Sequence, residues 1–367
     1  MKEGKKMRFK ELNKKQKRKF LVSLWLIIVI AVMYIGYAIT TLYRDRCAEN
    51  DYWTEYLETP KSIEKVVLEK GRNATKVHVG TYIENLKEIN IKGSNFRASY
   101  NIWFKWEGDP ELDMKNHFQI YKGTVNKMEV IKEYHDDQIH YQKVRVDVTV
   151  TKNFWTKRFP LESHQLRMYV MSNYPVERVS FIGDIAESGS NPNLSITGYD
   201  LTRFGSSVTG VTLKGTGDPT IDGDITMSEY MTAIEINRAN WGLYVKCFIA
   251  LVGTVTWVMI ALFICSYHHV DPLGMIPAAL FGTVTNIMVG ANLLPDAMDL
   301  GLLEYVNFFG IMIILSVALV VINTNRIRTK DNDIPFASYY GRRLFYVILF
   351  FIILGNVLMP IAAYMFQ

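Results

Sequence analysis

Hydrophobic residues follow two different patterns along this chain. Five stretches are almost continuously apolar: Phe20–Tyr43, Trp241–Ser266, Pro272–Leu293, Leu302–Ile322 and Leu344–Phe366. At about 1.5 Å per helical residue, each can cross about 30 Å of hydrocarbon, so each is predicted to be a membrane helix. Between the first and second stretches, apolar and polar residues instead alternate in short runs punctuated by Gly, Pro and Asn. Runs at Val77–Ile83, Phe96–Phe104, Val144–Thr151, Gln165–Met171, Arg178–Ile182, Val208–Lys214 and Tyr230–Ile236 read as strands. Many short strands without helical patterns between them predict an antiparallel β-sandwich. Only Asp51–Glu69 reads as a helix there, as a cap on the domain. The expected order is a tail over 1–19, a transmembrane helix over 20–43, an exported β-sandwich over 45–237 and a four-helix transmembrane domain over 238–367.

Charge orients this arrangement. The first nineteen residues are more positive than the chain's +5 as a whole: Lys2, Lys5, Lys6, Arg8, Lys10, Lys14, Lys15, Lys17, Arg18 and Lys19 face only Glu3 and Glu11. A basic run abutting an apolar stretch marks a cytoplasmic flank, and it also suits contact with anionic lipid. The first apolar stretch exceeds the 7–15 residues of a signal-peptide core and no small-x-small site follows it, so a retained anchor is expected. The β-domain then lies outside, the turn Tyr267–Asp271 inside, and Asp296–Asp299 outside. Arg326, Arg328, Lys330, Arg342 and Arg343 flank the last hairpin on the inside. The expectation is a multi-pass protein of the plasma (inner) membrane.

The chemistry-bearing residues are sparse. Cys47, Cys247 and Cys265 are an odd, widely spaced set that suits neither a disulfide framework nor a zinc site. His117, His135 and His140 are dispersed, and no Gly-rich phosphate loop or nucleophile elbow occurs. The sequence therefore predicts no enzyme, no cofactor, no metal and no nucleic-acid partner.

One segment is more specific. Arg158-Phe159-Pro160-Leu161-Glu162-Ser163-His164-Gln165-Leu166 has an aromatic, a proline and an acid in the order of an aromatic-Pro-Phe-Asp-x-Gln signature. Trp106 with Asp109-Pro110, Arg238 ahead of the second apolar stretch, and Asn292-Leu293-Leu294-Pro295 after the third complete the set. From Lys76 to Gln367 the chain resembles the pentameric ligand-gated ion channel family. Lys152 and Leu166 occupy the positions of the cysteines that bracket this loop in animal receptors. With the short Asn323–Gly341 linker, this is similar to the prokaryotic branch. Departures are His164 in place of Gln, a residue inserted before Asp109, Ala250 near an expected proline, and the added helix Phe20–Tyr43.

The resemblance implies a homopentamer in a lipid bilayer whose Pro272–Leu293 helices surround an ion path. Aligned on Asn292–Pro295, the pore face would be Gly274, Ala278, Phe281, Thr285 and Met288, with Asp271 ringing the inner mouth. Phenylalanine rings can gate by excluding water, and carboxylate rings favour cations. A competing stripe, Ala279, Thr283, Asn286 and Gly290, is equally periodic and more polar. Pro277 could kink this helix. For coupling, the resemblance implies Glu162 paired with Arg238, with Pro160 and Pro295 nearby and the strips Lys92–Asn95 and Asp296–Gly301 in contact. The bland alternative is that Arg238 marks the membrane interface. An extracellular small ligand would meet aromatics such as Trp103, Tyr121, Tyr174, Tyr199 and Phe204, which are equally suited to ordinary packing. The expected function is a ligand- or proton-gated, cation-preferring channel. The alternative is a non-conducting pentameric sensor or scaffold; a transporter is disfavoured because no inverted repeat is visible.

Overall fold

A computed structural model describes residues 8–58, 67–136, 138–214, 223–295 and 299–365. The chain divides into two compact units. One comprises Met1–Arg46, Thr156–Glu162 and Trp241–Gln367; the other comprises Cys47–Trp155 and Ser163–Asn240.

The first unit is built from helices. They are α1 (Lys14–Trp53), whose last turns belong to the other unit, α2 (Gly242–Tyr267), α3 (Ile276–Leu293), α4 (Leu302–Thr329) and α5 (Ile334–Met365). All five are long and apolar enough to cross a membrane. In α1, Phe20, Ala31, Ile35, Ala38 and Leu42 are buried, and their spacings of 3 and 4 place the last four on one face. That face meets α4 and α5. Tyr34 stacks on Phe309 with centroids 6.1 Å apart, and its hydroxyl donates to the Tyr305 carbonyl at 2.9 Å. Phe20 packs edge-on against Tyr339, and Tyr340 donates to Ser23 Oγ at 2.7 Å. The opposite side, including Val22, Trp25 and Met33, stays exposed, as a helix bathed in lipid requires.

A 3-10 turn, Leu273–Met275, precedes α3, so Pro277 stands in the first helical turn. There its missing N–H has no carbonyl to satisfy. Because the α-helix starts at Ile276, Pro277 occupies a position where proline is tolerated.

Among the described residues, the second unit holds ten strands: β1 (Thr75–Asn90), β2 (Asn95–Glu107), β3 (Phe118–Ile120), β4 (Gly123–His135), β5 (Ile139–Thr151), β6 (Ser163–Pro175), β7 (Val179–Gly183), β8 (Gly189–Ser190), β9 (Tyr199–Leu213) and β10 (Ile225–Arg238). They form two sheets, in the orders β4-β5-β2-β1-β7, with β8 beside β1, and β3-β6-β10-β9. Because β7 and β8 pair parallel to β1, the first sheet is mixed and not wholly antiparallel. Phe96, Ala98, Tyr100, Ile102 and Phe104 of β2, Val144, Val146 and Val148 of β5, and Leu166, Met168 and Val170 of β6 are all fully buried. Each buried Val, Leu, Ile, Phe or Met among them contributes roughly 1.5–3 kcal/mol relative to exposure. A buried hydrogen bond of 2.6 Å between Thr81 and Thr232 joins the two sheets.

Besides the short strands β3 and β8, which the sequence expectation also lacks, two elements differ from it. Strand β4 is absent from it, because this edge strand is exposed almost throughout and two register shifts break its alternation. Of the helix expected over Asp51–Glu69, residues 51–58 are helical as the end of α1, which runs unbroken to Trp53 and continues as a π-helical turn, Thr54–Glu58, and residues 67–70 are helical as well. Polar residues from Arg44 to Asn50 end the apolar run without ending the helix. Residues 59–66 of the expected cap lie outside the described residues.

Candidate functional site

Helix α3 presents two faces of opposite character. Ala279, Thr283, Asn286 and Gly290 are buried within the chain itself, and Asn286 Nδ2 donates to Asn307 Oδ1 of α4 at 2.6 Å. An amide in hydrocarbon surroundings needs such a partner. Gly274, Ala278, Phe281, Thr285 and Met288 are all exposed in the single chain, with Phe281 at 75% and Met288 at 62%. Asp271 sits ahead of α3 and is engaged: its Oδ1 accepts from Asn325 Nδ2 at 2.6 Å and from the Leu273 amide at 3.1 Å.

The segment Thr156–Glu162 clusters with the helices and not with the strands on either side of it. Its Lys157 carbonyl accepts from the Leu302 amide at 2.7 Å, where α4 begins, and Lys157 Nζ lies 3.2 Å from Asp299. Arg158, fully buried, meets Asp45 of α1 at 3.2 Å. Phe159, Pro160, Leu161 and Glu162 are buried, and the Phe159–Pro160 peptide is cis. Thus the motif-bearing loop is joined both to the turn after α3, which Pro295 opens, and to the added helix. Residues 296–298 of the expected Asp296–Gly301 strip lie outside the described residues. Arg238 ends β10 in the other unit, where its guanidinium covers the Tyr199 ring at 4.0 Å and donates to the Tyr199 hydroxyl at 2.6 Å.

The five candidate ligand aromatics are not gathered. Trp103 Nε1 donates to Asp184 at 3.0 Å. Tyr174 stacks between His117 and Arg178, Tyr199 holds Arg238, and Phe204 lies within β9 opposite Ile234. Tyr121 alone of the five lines a sizeable cavity.

That cavity, about 760 Å³, lies in the β-unit beneath residues 49–56 and is lined by Glu49, Tyr52, Tyr56, Trp155, Arg167, Tyr169 and Glu229, among others. A second, about 560 Å³, shares Tyr56, Tyr169, Val211 and Glu229 with it. Their floor is the polar face of the β6–β10–β9 sheet. Gln165 donates to the Glu49 carbonyl at 2.8 Å and Arg167 to the Tyr52 carbonyl at 2.8 Å, and Ser207 donates to the Tyr56 carbonyl at 2.8 Å. A helix end leaves carbonyls unpaired and carries partial negative charge. These side chains answer both demands, and Arg167 also lies 3.7 Å over the Tyr52 ring.

Glu229 is the exception on this floor. It is 4% exposed and stands between Met171 and Thr209 in register. Its Oε1 accepts from Thr209 at 3.0 Å, while the buried Oε2 has no partner. Burial raises its pKa to about 7, against the smaller opposing effect of the Thr209 bond. Nothing in the sequence distinguishes Glu229 from Glu235, which is paired to Arg203 at 2.5 Å; both read as outward-facing positions of an alternating strand. Comparison with protein-family models and with curated proteins finds no match for the chain.

Proposed function

We propose that this chain is one subunit of a homopentameric ligand- or proton-gated channel of the kind its sequence resembles, with cations preferred. In this reading the two sheets form an extracellular sandwich, α2 to α5 form the channel bundle, and α3 lines the path. The observation that carries it is the division of α3. Its polar stripe is consumed by contacts within the chain, which leaves Gly274, Ala278, Phe281, Thr285 and Met288 to meet either neighbours or water. Five Phe281 rings around an axis would make the narrow hydrophobic constriction of a gate. The contacts of Lys157 with Leu302 and Asp299 support a coupling role for the loop that carries Pro160 and Glu162.

Asp271 favours a second reading, a non-conducting pentameric sensor or scaffold, because its bond to Asn325 removes it from a free inner ring. One experiment separates the two. The full chain is reconstituted in a planar bilayer and currents are recorded across pH, with Phe281→Ala beside it. Unitary currents that change in the variant support the channel. Silence of both pentamers supports the sensor, and a monomeric or dimeric particle removes both readings.

A further inference from the structure

We infer that the seam between α1 and α5, at the end where both helices begin, is a binding site for an anionic phospholipid, its headgroup held by Lys17 and Arg343 beside the rings of Phe9, Phe20 and Tyr339. The site exists only because of the added helix α1, and the inference is independent of whether the chain conducts.

Packing sets the two helices level. Gln16 donates to Asp333 at 2.6 Å, Phe20 meets the Tyr339 and Tyr340 rings at 5.5 and 6.4 Å, and Tyr340 donates to Ser23 at 2.7 Å. The residue numbers rise together along both helices, so they run parallel. Their apolar runs open at Phe20 and at Leu344. Leu344 stands one helical turn past Tyr340, so both runs enter hydrocarbon within about 6 Å of the same depth at 1.5 Å per residue. The basic residues that flank them therefore share one level, that of the lipid headgroups.

The charge at this level is not balanced by the chain. Asp333 accepts from Gln16 and from the Phe336 amide, Asp331 lies 3.7 Å from Lys19, and Glu11 accepts from the Arg8 amide at 2.9 Å. Lys17 and Arg343 have rings as partners instead: Lys17 Nζ lies 5.6 Å from the Phe9 centroid, and the Arg343 guanidinium 5.6 Å from that of Tyr339. Among the described residues no carboxylate pairs with either. Phe20 joins the two rings, 6.4 Å from Phe9 and 5.5 Å from Tyr339. A cation held over a ring face keeps its outer side open to an anion, and a guanidinium grips a phosphate with two hydrogen bonds. Phe9, 43% exposed on the 3-10 turn ahead of α1, is an aromatic ring at the depth where headgroups meet acyl chains. Just beyond, Val22 and Trp25 of α1 and Phe350 of α5 are exposed and offer acyl chains an apolar surface. A free phosphate would meet the charges and leave that surface unused, so the occupant is a lipid.

The test is native mass spectrometry of the full chain in detergent, titrated with phosphatidylglycerol or with phosphatidylcholine of the same acyl chains. Phosphatidylglycerol is expected to bind about fivefold tighter or better, since each basic residue near an anionic headgroup adds to its attraction. Lys17→Gln with Arg343→Gln should remove that preference, and the charge-keeping pair Lys17→Arg with Arg343→Lys should retain it. A second arm uses the wild type alone: phosphatidylglycerol bearing a photoreactive diazirine is crosslinked and the labelled peptides are mapped, with labels expected in residues 9–25 and 336–350. Excess glycerol 3-phosphate, the headgroup phosphate without acyl chains, should not displace the lipid. Equal binding of the two lipids, an unchanged preference in the glutamine pair, labels confined to other helices, or displacement by glycerol 3-phosphate would each overturn the inference. Neither arm reads current, so its failure leaves the channel reading untouched.

Discussion

Glu229→Gln probes the buried carboxylate through the dependence of stability on pH. In the folded chain this group has a pKa of about 7, against 4.5 for the free side chain. Between pH 4.5 and 7 the folded state therefore keeps a proton that the unfolded state has released, so stability falls as pH rises through this window and levels off above it. The full separation of 2.5 pK units corresponds to about 3 kcal/mol at 1.36 kcal/mol per unit. Glutamine keeps the shape and can accept the Thr209 hydroxyl bond, but it cannot ionise. The variant should equal the wild type near pH 4.5 and exceed it by up to about 3 kcal/mol at pH 8.

Other groups are common to wild type and variant and cancel in the difference, including His269, which burial lowers from its usual value. Glu133 and Asp147 are drawn down to about 2, first by Lys115 and by Arg97 respectively; their contributions grow until pH passes the unfolded carboxylate values and are the same in both proteins. Lys152, on the same cavity wall, is lowered to about 8 by burial and acts only above that. Arg167, Glu49 and Lys122 also line the cavity, and they are unchanged by the substitution. The assay is denaturant unfolding of the full chain in nanodiscs at half-unit pH intervals, followed by far-UV circular dichroism. A wild-type minus variant difference that stays flat from pH 4.5 to 8 would refute the claim that Glu229 is buried without a partner.

Two further outcomes follow from close contacts. A Cβ added at Gly80 would lie 2.1 Å from Trp103 Cζ2, so Gly80→Ala must displace the indole and its bond to Asp184; a loss of about 1–3 kcal/mol is expected, and unchanged thermal unfolding would contradict the packing. Asp45→Leu or Arg158→Met alone should cost about 3–5 kcal/mol by removing one partner of a buried ion pair, whereas the two combined should cost less than the sum of the single changes. Additive losses in that cycle would mean the two residues do not act as a pair.

Much of the architecture is a direct consequence of the residue pattern. Long apolar runs have no stable state in water, and period-2 alternation has no stable state as a helix, so five long apolar helices and a β-rich unit follow from local composition alone. The strands that sequence reveals are those with a buried face, such as Phe96–Phe104 and Val144–Thr151. Strand β4 buries none of its side chains fully, so nothing in its own residues records that it pairs with β5. The two stripes of α3 are likewise equal in periodicity. Only the position of Asn307 on α4, which takes up Asn286, distinguishes them.

The cavity floor shows the same limit more sharply. Gln165, Arg167, Glu229 and Glu235 occupy the polar phase of ordinary alternating strands, and that pattern predicts exposure to water. Tertiary structure lays the end of α1 over them and makes them buried. Whether a buried charge is paired depends on neighbours far away in sequence: Arg203 reaches Glu235, and among the described residues no cation pairs with Glu229. Local pattern records how a residue prefers to be solvated, whereas its actual partners are set by which distant segment covers it.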